Sequence, residues 1–240
     1  GVDGNSVKQC NYTALDKQSD TMLISELNQF DIFPASNFID VAINDGEKIT
    51  ALVSFADRIL QFKDKNLYVI NTSQDYEYLE SQHKYMGVKH SYQVCETEFG
   101  IAWVNENGCF LYDGEQINNL ITNKLNPTEI HVTNSPPWKS FIGNNGMIGY
   151  LQELKQLLIL QDPVSEIATD ALSENTSDVM IYDMRTGSWS RGFNKISGLP
   201  KSNLVMNYDD SCLYLSYASA NSGENIKVDK TVNYEPGISA

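Results

Sequence analysis

Four strand-length runs close on the same chemistry: Val69-Ile70-Asn71, Leu111-Tyr112-Asp113, Ile181-Tyr182-Asp183 and Lys227-Val228-Asp229. Their Asn or Asp positions are 42, 70 and 46 residues apart. Two of these intervals fall in the ~40–50-residue period of a four-stranded propeller blade. The long one contains PVSEIATDALSENTS (163–177), a polar stretch that reads as a loop inserted in a hairpin and protruding from the surface. A repeat of this length constrains the chain more than any single motif in it.

The runs leading to each of these residues are short. ITALVSF (49–55), RILQFKD (58–64) and LYVIN (67–71) come first, with hairpin-sized breaks between them. SYQVCE (91–96), GIAWVN (100–105), CFLYD (109–113) and INNLI (117–121) follow. The Asn105–Gly108 turn is expected to place Gly108 at positive φ. MIGYLQ (147–152), QLLILQD (156–162), DVMIYD (178–183) and SWSRGF (188–193) make a third set. NLVMNY (203–208), CLYLSY (212–217) and NIKVD (225–229) make a fourth. Thirteen Tyr, nine Phe and three Trp favour sheet over helix.

Runs such as LLIL and CFLY are apolar at successive positions, so both faces of their sheets must be covered. Four-stranded sheets stacked face to face meet that demand. A β-sandwich would also give short strands and regular turns, but with stricter alternation. The expected fold is all-β and propeller-like, with about four blades of four-stranded antiparallel sheets at 49–86, 87–125, 140–195 and 200–234, and with the inserted loop at 163–177. Residues 1–48 read as a partial blade or a ring-closing element. Within them TMLISELNQF (21–30) predicts a short helix, and DIFPASNFIDVAINDG (31–46) predicts loop and strand. GVDGNSVKQC at the start has neither a signal pattern nor an initiator Met, so the sequence reads as a piece of a larger ring or chain.

Composition excludes several roles. A formal charge of −14 argues against nucleic acid as a direct partner, because phosphate neutralisation needs an excess of Lys and Arg. No apolar run approaches the ~18 residues of a membrane span. Cys10, Cys95, Cys109 and Cys212 show no zinc-type spacing. Cys95 and Cys109 could face each other on neighbouring strands, but two buried free thiols fit better. The sequons at Asn11, Asn71 and Asn175 match chance in so Asn- and Ser-rich a chain.

Candidate chemistry is sparse. His83 and His90 fall in the polar connection between the first two blades, and His131 precedes TNSPPW; all three read as solvated loop histidines. IGNNGMIGY (142–150) is glycine-rich but leads into a strand, which does not make a phosphate cradle. IYDMRTGSW (181–189) is similar to a kelch-type blade ending, and loosely to the sialidase Asp-box with the wrong Asp–Gly spacing. Under both likenesses its residues are structural, with Trp189 packed between blades. Trp103 and Cys109 are expected to fill a layer between blades as well. No residue is assigned to catalysis, to a cofactor or to a metal.

Three segments carry a family resemblance. ITALVSFADRILQFKDKNLYVIN (49–71), GVKHSYQVCETEFGIAWVNENGCFLYDGEQINNL (87–120) and DVMIYDMRTGSWSRG (178–192) together resemble the β-propeller part of tail nozzle or tail tube proteins of short-tailed phages, including gut crAss-like and marine ones. The likeness spans about two-thirds of the chain. It implies a non-enzymatic virion component acting through subunit contacts in a homo-oligomeric ring, with no cofactor, no sequence-specific nucleic acid and no membrane insertion. An acidic surface suits a wall beside a DNA conduit, since repulsion keeps DNA from sticking. The segment 163–177 and the SPPW stretch (135–138) are the expected contact surfaces. The alternative is a glycan-binding or glycan-cleaving propeller, with Trp138, Trp189 and tyrosines stacking on sugars. A kelch-like adaptor fits less well, because the paired glycines of kelch blades are absent.

Overall fold

The computed structural model describes residues 19–34, 36–43, 45–74, 76–125, 137–161, 177–193, 204–207, 209, 212–218 and 223–228. The chain divides at Gly87 into two units.

In the first unit, β1 (Thr21–Leu23) and β2 (Phe38–Asp40) pair antiparallel, with Met22 opposite Ile39. β3 (Ile49–Phe55), β4 (Arg58–Lys63), β5 (Asn66–Asn71) and β6 (Tyr78–Lys84) then form a four-stranded meander. Met22 and Val41 pack on Tyr68 and Ile70 of that sheet, with Ile39 and Ile59 beside them. This burial explains why 21–30 does not form the expected helix. Pairing with β2 sets Met22 in the core, and Asn28 then turns the chain at φ 62, outside the helical region.

β6 is a further difference from the sequence reading. YLESQHK has no apolar alternation because the strand forms the sheet edge, where most of its side chains meet water. His83 therefore sits within a strand rather than a connection. Ala56 takes the left-handed region at φ 50 in the two-residue turn that joins β3 to β4.

Among its described residues the second unit contains three antiparallel sheets. The first is β7 (Val94–Thr97), β8 (Gly100–Asn105), β9 (Gly108–Tyr112) and β10 (Ile117–Asn119). The second is β11 (Met147–Leu151), β12 (Gln156–Leu160), β13 (Ser177–Asp183) and β14 (Ser188–Phe193), preceded by the short helix α1 (Trp138–Ile142). The third, among the described residues, is β15 (Val205–Asn207), β16 (Cys212–Ala218) and β17 (Gly223–Val228).

The middle sheet divides its side chains between its two neighbours. Ile148, Tyr150, Leu157, Ile159, Met180 and Tyr182 pack in one cluster with Ala102, Val104 and Cys109 of the first sheet. Met147, Leu151, Leu158, Leu160, Val179 and Ile181 pack in another with Leu213 and Leu215 of the third. Registers such as Ile148 opposite Ile159, and Leu158 opposite Ile181, keep each set on one face. The apolar runs are therefore alternating strands whose two faces are both dry. The fold is all-β and propeller-like, made of antiparallel meanders stacked on their faces.

Two glycines show what close approach demands, one between sheets and one within a sheet. A Cβ on Gly149 would meet the Leu213 side chain at 2.7 Å, so β11 can approach β16 only without one. Gly108 does not have the positive φ expected of it, since only Gly46, Gly100, Gly114, Gly143 and Gly187 among the described glycines do. Its Cβ would instead collide with the Asn119 side chain at 2.6 Å. The β8–β9 turn is fixed by Asn105, whose Oδ1 accepts from the Asn107 N–H at 2.8 Å.

Candidate functional site

The repeated Asn and Asp residues prove to be turn builders. Among the described residues, Asn71 and Asp183 end the third strand of their sheets and Asp113 directly follows the third strand of its own. Asn71 Oδ1 accepts from the Ser73 N–H at 2.9 Å. Asp113 Oδ1 accepts from the Glu115 and Gln116 N–H groups, both at 2.9 Å. Asp183 Oδ1 accepts from Arg185 N–H at 2.9 Å and from Thr186 N–H at 3.2 Å. Asp183 also holds the Arg185 guanidinium, which keeps its carboxyl well below the usual carboxylate range. The Gln116 and Glu115 N–H groups lower Asp113 in the same direction. Asp229 lies outside the described residues.

The three tryptophans are likewise committed to packing. Trp189 touches Tyr182 and Trp138, at 5.0 and 5.9 Å between ring centres, and its Nε1–H donates to Leu120 O at 3.1 Å. It lies between two sheets, as expected of it. Trp138 is only 1% exposed, and its Nε1–H donates to Asn105 O at 2.8 Å. Of the SPPW stretch, Trp138 is therefore not a contact residue, since α1 carries Trp138, Phe141 and Ile142 into the layer between the first two sheets of the unit, while Ser135 and Pro136 lie outside the described residues. Cys109 lies in that layer, while Trp103 is buried against Phe110 on the opposite face of its sheet. The remainder of 163–177 before Ser177 is outside the described residues, as is His131.

Cys95 and Cys109 are free thiols on β7 and β9, with β8 between them, and so are not on neighbouring strands. Two strand spacings of ~4.8 Å exceed the ~7 Å Cα limit for a disulfide. Burial raises both thiols, reinforced by Glu96 at Cys95 and by Cys95 at Cys109, which makes them poor nucleophiles. His83 Nε2 lies 2.9 Å from Ser81 Oγ, and burial lowers its basicity. His90 stacks on Tyr92 at 4.8 Å. Among the described residues no group of three metal-ligating side chains converges, and no helix is long and apolar enough to cross a membrane.

Two polar constellations stand out beyond the turns. The first is Lys63, fully buried on β4, whose Nζ donates to Ala42 O at 2.7 Å and to Asp45 Oδ1 at 2.9 Å. Tyr68 O–H donates to the other Asp45 oxygen at 3.4 Å. Burial pushes the Asp45 carboxyl up, but Lys63 and the Glu47 N–H outweigh it and hold the group low. Asp45 neutralises the ammonium and Tyr68 orients Asp45, so the cluster ties Ala42 and Asp45 to the sheet. Nothing in the alternation of RILQFK indicated that this Lys points inward.

The second constellation is a cleft of about 500 Å³ in the second unit, where the first strands of its sheets come together. β7 supplies Val94 to Thr97, Glu98 follows it, β11 supplies Ile148 to Tyr150, and Leu204, Met206 and Leu213 close the apolar floor. Tyr150 O–H donates to Glu98 Oε1 at 3.2 Å, and Lys155 Nζ bonds Glu98 Oε2. Lys155 keeps the Glu98 carboxyl low, whereas burial and the adjacent Glu98 push the Tyr150 hydroxyl up. Sequence reasoning missed this cleft, since its lining comes from four separate stretches of chain.

No protein-family model matches the chain, and no curated protein sequence does. Among solved structures, the N-terminal domain of Nup159, a β-propeller, aligns at 12% identity with a TM-score of 0.35. The alignment covers 77% of this chain and 46% of that one, so the chain spans less than half of its length. A likeness of that degree carries no weight of its own. The stacked meander sheets define the class, an all-β propeller-like protein.

Proposed function

We propose that the chain is a non-enzymatic building block that works through protein–protein contacts, and that its setting is the tail of a phage virion, in the nozzle or tube. The observation that carries the first part is the tip of the β1–β2 hairpin. Leu27 and Phe30 are 86% and 85% exposed there. Backbone bonds nonetheless hold the tip in shape: Glu26 N–H to Ile32 O at 2.9 Å, and Ile32 N–H to Gln29 O at 3.1 Å. Large apolar side chains displayed on an ordered turn gain nothing for the isolated chain and suit anchors in a partner's surface. The phage setting rests on the resemblance of 49–71, 87–120 and 178–192. Other virion subunits, including further copies in a ring, are the partners this reading names.

The test is cryo-electron microscopy and peptide mass spectrometry of purified particles from the source of the sequence. The chain is expected at fixed copy number in the tail, and its absence from particles would overturn the reading. Replacing Leu27 and Phe30 with Ser should block incorporation while the melting temperature stays within a few degrees. A sugar-binding role is the weaker reading: of its candidate stacking residues Trp138 is buried and Trp189 packs on Trp138 and Tyr182, which leaves exposed tyrosines such as Tyr76 and Tyr85. Specific binding on a glycan array would nevertheless reverse this conclusion.

A further inference from the structure

We infer that the cleft beside β7 and β11 receives a lysine side chain from an extended segment of a partner protein. This rests on the protein-contact reading above and names the chemistry of one contact. The floor, formed by Ile148, Leu204, Met206 and Leu213, is apolar and suits the methylene stem of a long side chain. The mouth is acidic. Glu98 has both carboxylate oxygens engaged, one by Tyr150 and one by Lys155, so its charge is already balanced. Glu96 is exposed on the cleft wall and has no ion-pair partner among the described residues, which leaves one uncompensated negative charge at the mouth.

A single free carboxylate above an apolar trough matches a compact ammonium on a four-carbon stem. Of the two basic side chains, lysine lays the longer run of methylenes along the trough, four against arginine's three. The volume, about 500 Å³, exceeds what one side chain fills. β7 and β11 are each the edge strand of their sheet, so an extended segment can lay its backbone alongside while its Lys enters. The chain's charge of −14 favours basic partners in general, and the trough selects among them.

The test uses the full chain and isothermal titration with three probes: acetyl-Leu-Lys-Leu-amide, the same peptide with norleucine in place of Lys, and hexylammonium. The Lys peptide should bind, and the norleucine peptide should bind about tenfold or more weakly. Glu96→Gln should cost a similar factor with an unchanged thermal melt. Glu115→Gln, a remote surface carboxylate, should leave binding unchanged. Equal affinity for the norleucine peptide, no binding at millimolar concentration, or an equal loss in the Glu115 variant would each overturn the inference. So would hexylammonium binding as tightly as the peptide, because the segment would then contribute nothing. These outcomes concern the cleft alone, whereas the particle experiment decides the protein's setting.

Discussion

The sheet β11–β14 is apolar on both faces, while the face of β3–β6 under the β1–β2 hairpin carries Gln61 and Lys63, both fully buried. The first is sealed by non-directional contacts that many side-chain sets could supply. The second is sealed by an ammonium with particular acceptors, Ala42 O and Asp45. Apolar layers set how closely sheets approach, whereas a buried charge fixes which stretch of chain lies over it. Gln61 illustrates the cost of this solution. Its Nε2 reaches Val41 O at 3.3 Å, but its Oε1 is buried with no partner among the described residues.

The comparison can be broken at several points. Ile159→Ala removes a fully buried side chain from the dry layer and should cost roughly 2–5 kcal/mol in urea unfolding; a loss below about 1 kcal/mol would mean that the layer tolerates voids. Asp45→Ala strands the Lys63 ammonium and should cost about 3 kcal/mol. Lys63→Met should stay within about 1 kcal/mol of the parent, because an apolar residue of similar length removes the charge and its desolvation together. If both variants cost the same, the charge contributes no more than packing.

Acid should act more on the polar tethers than on the apolar layer. The carboxyls of Asp45 and Asp183 are both lowered in the folded protein. Each therefore contributes stability that is fully present above the unfolded value of ~3.9 and is lost as pH falls through the folded value. Unfolding free energy should decline below about pH 4, and Asp183→Asn should flatten that decline. An unchanged acid limb in the variant would remove Asp183 from the account. The smallest expected effect is that of Gln61→Met, within about 1 kcal/mol and on the stabilising side, since it deletes an unpartnered buried oxygen.

What the sequence disclosed follows the same division. ITALVSF, GIAWVN and SWSRGF coincide with β3, β8 and β14 to the residue: β8 is buried on both faces and reads as a continuous apolar run, while β3 and β14 are edge strands whose apolar and aromatic residues alternate with exposed ones. β6 escaped notice because an edge strand facing water needs no such pattern. α1 is only five residues long, yet Pro136-Pro137 ahead of Trp138 was a usable signal, since Pro is tolerated at a helix start. Lys63 sits in a correctly placed strand, but its burial depends on Asp45, 18 residues earlier, and on no local rule. The cleft was illegible for a related reason. Val94, Ile148, Leu204 and Leu213 become neighbours only through the stacking of three sheets.

In three of the sheets the turn after the third strand is closed by the Asn71, Asp113 or Asp183 at that strand's end. Each of these three sheets thus carries its closing chemistry inside its own stretch of gene. Such a stretch can be duplicated, lost or lengthened without rewriting the turns of its neighbours. The unequal intervals of 42 and 70 residues between those three positions are what a lineage of copied and separately edited cassettes would leave behind.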